Sequence, residues 1–204
     1  PLWSRGLGDV YKRQLYAFDE CLVFSKTFIL QIEDNLAQIT RLQKNEFAVK
    51  MSSFEFTKSS CAIADSQELQ FNFEGTDIKF YPVSVGNPHA VIFQDSLSDQ
   101  IPEMGLTLQE SNIYKNGVNV GFVEILNEKE INLRVVERGV GETLACGSGA
   151  CAAVLSGVKN NLLQSSVLVN FKKGKLKVEV NLDEEWFNLI GEAKYIEKGI
   201  KINP

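Results

Sequence analysis

The chain's chemistry concentrates in Glu137-Arg138-Gly139-Val140-Gly141-Glu142-Thr143-Leu144-Ala145-Cys146-Gly147-Ser148-Gly149-Ala150-Cys151-Ala152-Ala153. A strand ends in an acid and a base, a glycine-rich loop follows, and Cys146 stands immediately before a helix. The exposed amides of a helix's first turn carry partial positive charge and accept anions. A thiol placed there is pushed toward thiolate and becomes a nucleophile or a base. Gly147, Ser148 and Gly149 are small, so an anionic ligand can approach those amides closely. Taken alone, Cys-Gly-x-Gly reads as a strand–loop–helix connection with a buried thiol. The acid–base pair Glu137-Arg138 and two further polar clusters shift the balance toward function. Cys151, deeper in the helix, reads as packing.

The first of those clusters is Gly86-Asn87-Pro88-His89-Ala90, a turn between the apolar runs Val83-Ser84-Val85 and Val91-Ile92-Phe93. Such a corner can aim the Asn87 and His89 side chains, and histidine is the usual proton carrier near neutral pH. A lone histidine is more often structural, and the cluster by itself supports no more than that. The second is Asn116-Gly117-Val118-Asn119-Val120-Gly121-Phe122, where Asn119 opens a strand and would otherwise be an ordinary turn or edge residue.

These residues need a scaffold. Strand patterns recur at Thr27–Glu33, Phe47–Met51, Leu69–Phe73, Ile78–Val85, Ala90–Phe93, Val118–Ile125, Ile131–Glu137, Val167–Phe171, Leu176–Val180 and Phe187–Ile190, with turn signals at Glu74-Gly75 and Lys173-Gly174. The spacing predicts a helix over Gly147–Leu162, with Ala150, Val154, Val158 and Leu162 on one face and Asn160-Asn161 as its stop. A weaker helix falls at Gln100–Asn112, and Leu15–Leu22 fits a helix end. Many strands with one strong, largely apolar helix predict an α+β fold, a sheet curled around that helix. Residues 1–14 read as a non-native or disordered leader without chemistry.

With 204 residues and 44% hydrophobic content the chain can bury a real core. Lys plus Arg is 21 and Asp plus Glu is 26, a net charge of −5, so no nucleic acid or anionic membrane partner is expected. No apolar run is long enough to span a bilayer and no signal peptide stands out, which predicts a cytoplasmic protein. The four cysteines form no C-x-x-C pair and His89 is the one histidine, so no metal site is expected.

Gly86-Asn87-Pro88-His89, Asn119-Val120-Gly121-Phe122 and the run from Glu137-Arg138-Gly139 to Cys146-Gly147-Ser148-Gly149-Ala150-Cys151 together resemble the diaminopimelate epimerases. The likeness extends over 15–204, and the last motif is its most specific part. The resemblance implies two lobes, each a curled, barrel-like sheet around a central helix. Residues 47–191 would be a complete C-terminal lobe, and 15–46 with 192–204 the remnant of an incomplete N-terminal lobe. It also implies conversion of LL- to meso-diaminopimelate, in lysine and peptidoglycan-precursor synthesis, with no pyridoxal phosphate or metal cofactor, in a parent protein that is a homodimer.

In such enzymes two cysteines face opposite sides of the α-carbon, one removing the proton as thiolate and the other returning it as thiol. By the match Cys146 is one of them, with Glu137 and His89 near the reacting centre. Amides around Gly147 and Ser148 would hold the α-carboxylate. Arg138 would clamp the distal carboxylate, helped by Asn87 and Asn119. The family's partner motif, Cys-Gly-Asn-Gly, is missing from these 204 residues. Cys21 follows the helix tail and Cys61 lacks the glycines, so the chain is expected to be an inactive fragment with one of two bases; strands missing from the N-terminal lobe would expose apolar edges, so poor solubility is expected too. Two other readings stand beside this one. One is a relative acting on proline or hydroxyproline, for which a distal clamp would be wasted; the other is a non-catalytic binding domain of the same fold.

Overall fold

The computed structural model describes residues 25–32 and 35–192. The leader 1–14, the helix end at Leu15–Leu22, Cys21 and residues 193–204 of the expected N-terminal-lobe remnant lie outside the described residues. In chain order the elements are β1 (Thr27–Ile32), β2 (Asn35–Arg41), β3 (Glu46–Met51), a single 3-10 turn at Ser59–Cys61, β4 (Gln70–Phe73), β5 (Thr76–Lys79), β6 (Tyr81–Ser84) and β7 (Pro88–Gln94). Then come α1 (Ile101–Glu110), β8 (Asn119–Asn127), β9 (Glu130–Glu137), β10 (Gly141–Thr143), α2 (Gly147–Lys159), β11 (Ser166–Phe171), β12 (Gly174–Asn181) and β13 (Trp186–Glu192).

Eleven strands form one sheet in the order β1-β2-β3-β13-β12-β11-β9-β8-β7-β6, with β10 on β9, while β4 and β5 make a separate hairpin. The pairs β7/β8 and β9/β11 are parallel and the other named pairs antiparallel. This is the expected α+β architecture. The sheet curls around α2 without closing, leaving β1 and β6 at its two ends.

Helix α2 explains the curl. Every residue from Ser148 to Gly157 is buried, so the helix has no solvent face and must be wrapped rather than merely covered. Strands β6, β7, β8, β9, β12 and β13 all pack on it. Its end matches the predicted stop: Asn160 caps it, Asn161 turns left-handed at φ 57°, and the Leu162 amide bonds back to the Gly157 carbonyl.

The central strands are buried on both faces. Val123, Leu133 and Val135 point to α2, whereas Val120, Phe122 and Val136 join Ile101, Met104 and Leu108 under α1. That double burial is why β8 begins as a continuous apolar run instead of an alternating one.

Three elements differ from expectation. β2 was not predicted; it bonds to β3, and its Ala37 and Ile39 join the core around α2. The run Ile78–Val85 is two strands, broken at Phe80, whose amide bonds to the Leu69 carbonyl while its buried ring tilts against Tyr114. The short β10 fills what sequence presents as loop. Among the described residues no helix is long and apolar enough to cross a membrane.

Candidate active site

Strand alternation brings the predicted residues to one end of the α2 face. On β7, Val91 faces α2, so His89 two residues earlier shares that side; on β9 the same step leads from Val135 to Glu137, and on β8 two such steps lead from Val123 to Asn119. His89 and Asn119 are register partners, and Val120 opposite Val136 places Asn119 beside the end of β9.

Cys146 occupies the extended position ahead of α2, with φ −136° and ψ 111°. No side chain caps the Gly147 and Ser148 amides at the start of the helix, and they keep their donor capacity for a ligand. The thiol is buried, with Sγ 3.5 Å from Ser148 Oγ, and it also interacts with the Gly149 amide and the Glu137 carboxylate. Gly149 is needed for this fit: a Cβ there would lie 2.9 Å from Val135 Cγ2 and 3.4 Å from Cys146 Sγ.

The protonation of Cys146 departs from the expectation drawn from helix position. Burial, and after it the charge of Glu137, push the thiol up to about 11, although Ser148 and the Gly149 amide pull the other way. A helix start favours thiolate only where water or a cation also supports the charge, and here an acid faces the sulfur. The resting group is therefore a thiol.

Glu137 is half-buried, and its Oε1 accepts a hydrogen bond of 2.6 Å from Thr143 Oγ1. His89 is buried; its Nε2 lies 3.3 Å from Asn87 Oδ1, and its carbonyl accepts from Tyr114 OH at 3.4 Å. Burial lowers the imidazole to about 3, so at neutral pH the ring is uncharged and acts as a fixed dipole rather than as the titrating proton carrier that residue type suggests. Its Nδ1 is buried without a partner among the described residues.

Asn119 Oδ1 accepts the Arg138 amide at 2.9 Å. The Arg138 side chain is exposed, crosses Gly117 and donates to the Asn116 carbonyl. Gly117, at φ 72°, leaves the room: a Cβ there would stand 2.5 Å from Arg138 Cδ. The guanidinium thus sits at the rim of the site.

The structure gathers Cys146, Ser148, Glu137 and Gly147 into one group, pairs His89 with Asn87, and joins Asn119 to Arg138. Sequence reasoning missed Thr143 and Tyr114. Thr143 stood inside the motif, and the signal was its place one residue after an acid in a strand-length segment between glycines. Cys151 is fully buried, as expected of a packing residue. Among the described residues no three His, Cys, Asp or Glu side chains converge as metal ligands.

Solved structures share this fold. A hydroxyproline epimerase from Agrobacterium vitis, with bound trans-4-hydroxy-L-proline, superposes with a TM-score of 0.63 at 12% identity, over 88% of this chain and 61% of that one. A phenazine biosynthesis PhzF family protein from Enterococcus faecalis gives 0.57 at 15% identity, over 93% of this chain and 70% of that one. At such identities the likeness defines the class by fold alone, the diaminopimelate-epimerase-like α+β proteins. The model of the family "Diaminopimelate epimerase" matches residues 81–196. The chain belongs to the diaminopimelate epimerase family.

Individual relatives agree. The diaminopimelate epimerase of Buchnera aphidicola subsp. Baizongia pistaciae is 44% identical over 138 residues, 67% of this chain and 48% of that protein. That of Methanothermobacter thermautotrophicus is 36% identical over 199 residues, 94% of this chain and 66% of that protein. The chain thus spans about half to two thirds of the length of these relatives.

Proposed function

We infer that this chain carries one half of a proton-transfer site that epimerises diaminopimelate at its α-carbon, with Cys146 as one of the two acid–base groups. The observation that carries the reading is the Cys146 thiol at an uncapped helix start, with Glu137 as its charged neighbour. A resting thiol is a proton donor. In one direction a thiolate on the opposite face removes the α-proton and Cys146 delivers its own to the other side. In the reverse direction Cys146 acts as the thiolate that the forward transfer leaves behind, and the neighbouring Glu137 charge makes that thiolate the stronger base.

The free amides of Gly147 and Ser148 suit the α-carboxylate and the charge that gathers there as the carbon acid ionises. Arg138, released from the Asn116 carbonyl, presents a planar fork for the distal carboxylate, with Asn119 fixing its backbone and Asn87 close by. His89, uncharged, orders Asn87. No step calls on pyridoxal phosphate or a metal. The setting is lysine and peptidoglycan-precursor synthesis in the cytoplasm, in a homodimer, without nucleic acid or membrane partners.

Cys-Gly-Asn-Gly does not occur in the 204 residues, so by themselves they offer one thiol of the pair and should not turn over. Incubation with LL-diaminopimelate in deuterated water, followed by NMR of the α-proton, is the test. No exchange is expected from this chain alone. Joined to the family's Cys-Gly-Asn-Gly segment it should exchange, and Cys146→Ala should abolish that. Exchange that survives Cys146→Ala would remove this sulfur from the mechanism, and preferential turnover of proline would reassign the substrate.

A further inference from the structure

β10 is only three residues long, yet it lies between the two groups the chemistry needs, Glu137 and Cys146. It pairs with β9 so that Gly141 faces Glu137, Glu142 faces Val136 and Thr143 faces Val135. Alternation then gives its residues opposite duties. Glu142 points away from α2, where Arg134 Nε and a terminal nitrogen meet its two oxygens at 2.7 and 2.9 Å and Lys172 Nζ stands at 2.9 Å. Arg134 also donates to the Ser98 carbonyl. The Arg134 guanidinium, ahead of the other causes, holds the Glu142 carboxyl at about 2, so this latch stays charged. A fork-to-fork pair fixes orientation as well as distance.

With the strand latched outside, the residue facing inward is fixed too. That residue is Thr143, and its hydroxyl donates to Glu137 Oε1 at 2.6 Å. We propose that Thr143 is a positioning residue, whose hydroxyl holds one oxygen of Glu137 so that the carboxylate is kept against the Cys146 thiol. The branched threonine side chain is stiff about its first torsion and presents the hydroxyl ready placed. Glu137 has three rotatable bonds, is only half-buried, and without that donor is free to turn toward solvent. The proposal builds on the reading of Cys146 as a proton-transfer group. Among the described residues, the titratable groups that interact with Cys146 are Glu137 from β9 and Cys151 in α2; His89 lies on the same face of β7, and Arg138 is turned to Asn116.

Site-resolved alkylation by iodoacetamide, followed by peptide mass spectrometry between pH 8 and 10, tests this on the chain itself without turnover. Thr143→Val should raise the Cys146 rate at fixed pH by about threefold or more, the change produced by half a pKa unit. Glu137→Gln should raise it at least as far, and Thr143→Ser should restore the parent rate. The double variant Glu137→Gln/Thr143→Val should match Glu137→Gln alone, because Thr143 acts through Glu137. An unchanged rate in Thr143→Val overturns the proposal, as does a further rise in the double variant. Equal acceleration of Cys61 and Cys151 in Thr143→Val that Thr143→Ser fails to reverse also overturns it, since that pattern is general loosening. The epimerase reading stands or falls separately, on proton exchange in the two-thiol protein.

Discussion

Asn119 Oδ1 accepts the backbone N–H of Arg138 at 2.9 Å, tying the first residue of β8 to the residue that follows β9. The bond orients the arginine's main chain while leaving its guanidinium free to exchange partners. Asn119→Ala should cost about 1 kcal/mol, the ordinary worth of one hydrogen bond, and Asn119→Asp, which keeps the acceptor, less. Urea unfolding measures both. In the two-thiol protein Asn119→Ala should raise KM more than it lowers kcat, because the clamp is loosened and the thiol is untouched.

His89 supplies a clean pH probe, since it is the one histidine in the sequence. Its imidazole is lowered to about 3 by burial, against about 6.5 in an unfolded chain. Between those values the unfolded state binds a proton that the folded state refuses, so stability is whole above about 6.5 and declines as pH falls through that window. The ring's NMR resonances should remain those of neutral imidazole down to about pH 4 in the folded protein. A titration midpoint near 6.5 in the native state would contradict this burial.

Glu142 works at lower pH. Its folded value of about 2 lies below the ordinary carboxylate range, so its contribution is complete above that range and disappears as pH falls toward 2. Denaturation midpoints measured from pH 6 to pH 2 should fall more steeply for the parent than for Glu142→Gln, with the two curves converging at the acid end.

Gly149→Ala probes the fit of α2 on β9. The new methyl would lie 2.9 Å from Val135 Cγ2, inside contact distance, and both elements are held by the core. A loss of about 1–3 kcal/mol is expected, as for other overpacked cores. The Cys146 alkylation rate should change with it, since the same carbon would press on Sγ from 3.4 Å.

How much of this could be read beforehand follows the range of the forces involved. α2 was legible because Ala150, Val154 and Val158 recur at helical spacing and Asn160-Asn161 mark its end. β2 was not, because its inward residues are only Ala37 and Ile39, while exposed Leu36 blurs the alternation; its existence depends on pairing with β3 and β1. At the site, residue types and order pointed to Cys146, Glu137, Asn87, Asn119 and Arg138. The protonation of Cys146 and His89 was misjudged, because it depends on how much apolar structure distant strands bring around them. Arg138 bonding to Asn116 was equally hidden, since it depends on the space left over Gly117.

The all-round enclosure of α2 bears on how the molecule is made. A segment with no wet side gains little from forming early, and the strands that sheathe it meet across long stretches of chain, Phe47 pairing with Gly191 for instance. Nascent chain must therefore wait for β13 to emerge before the sheath can be completed around that helix. The chemical character of the sulfur at its tip is thus a product of assembly rather than a property of its local peptide.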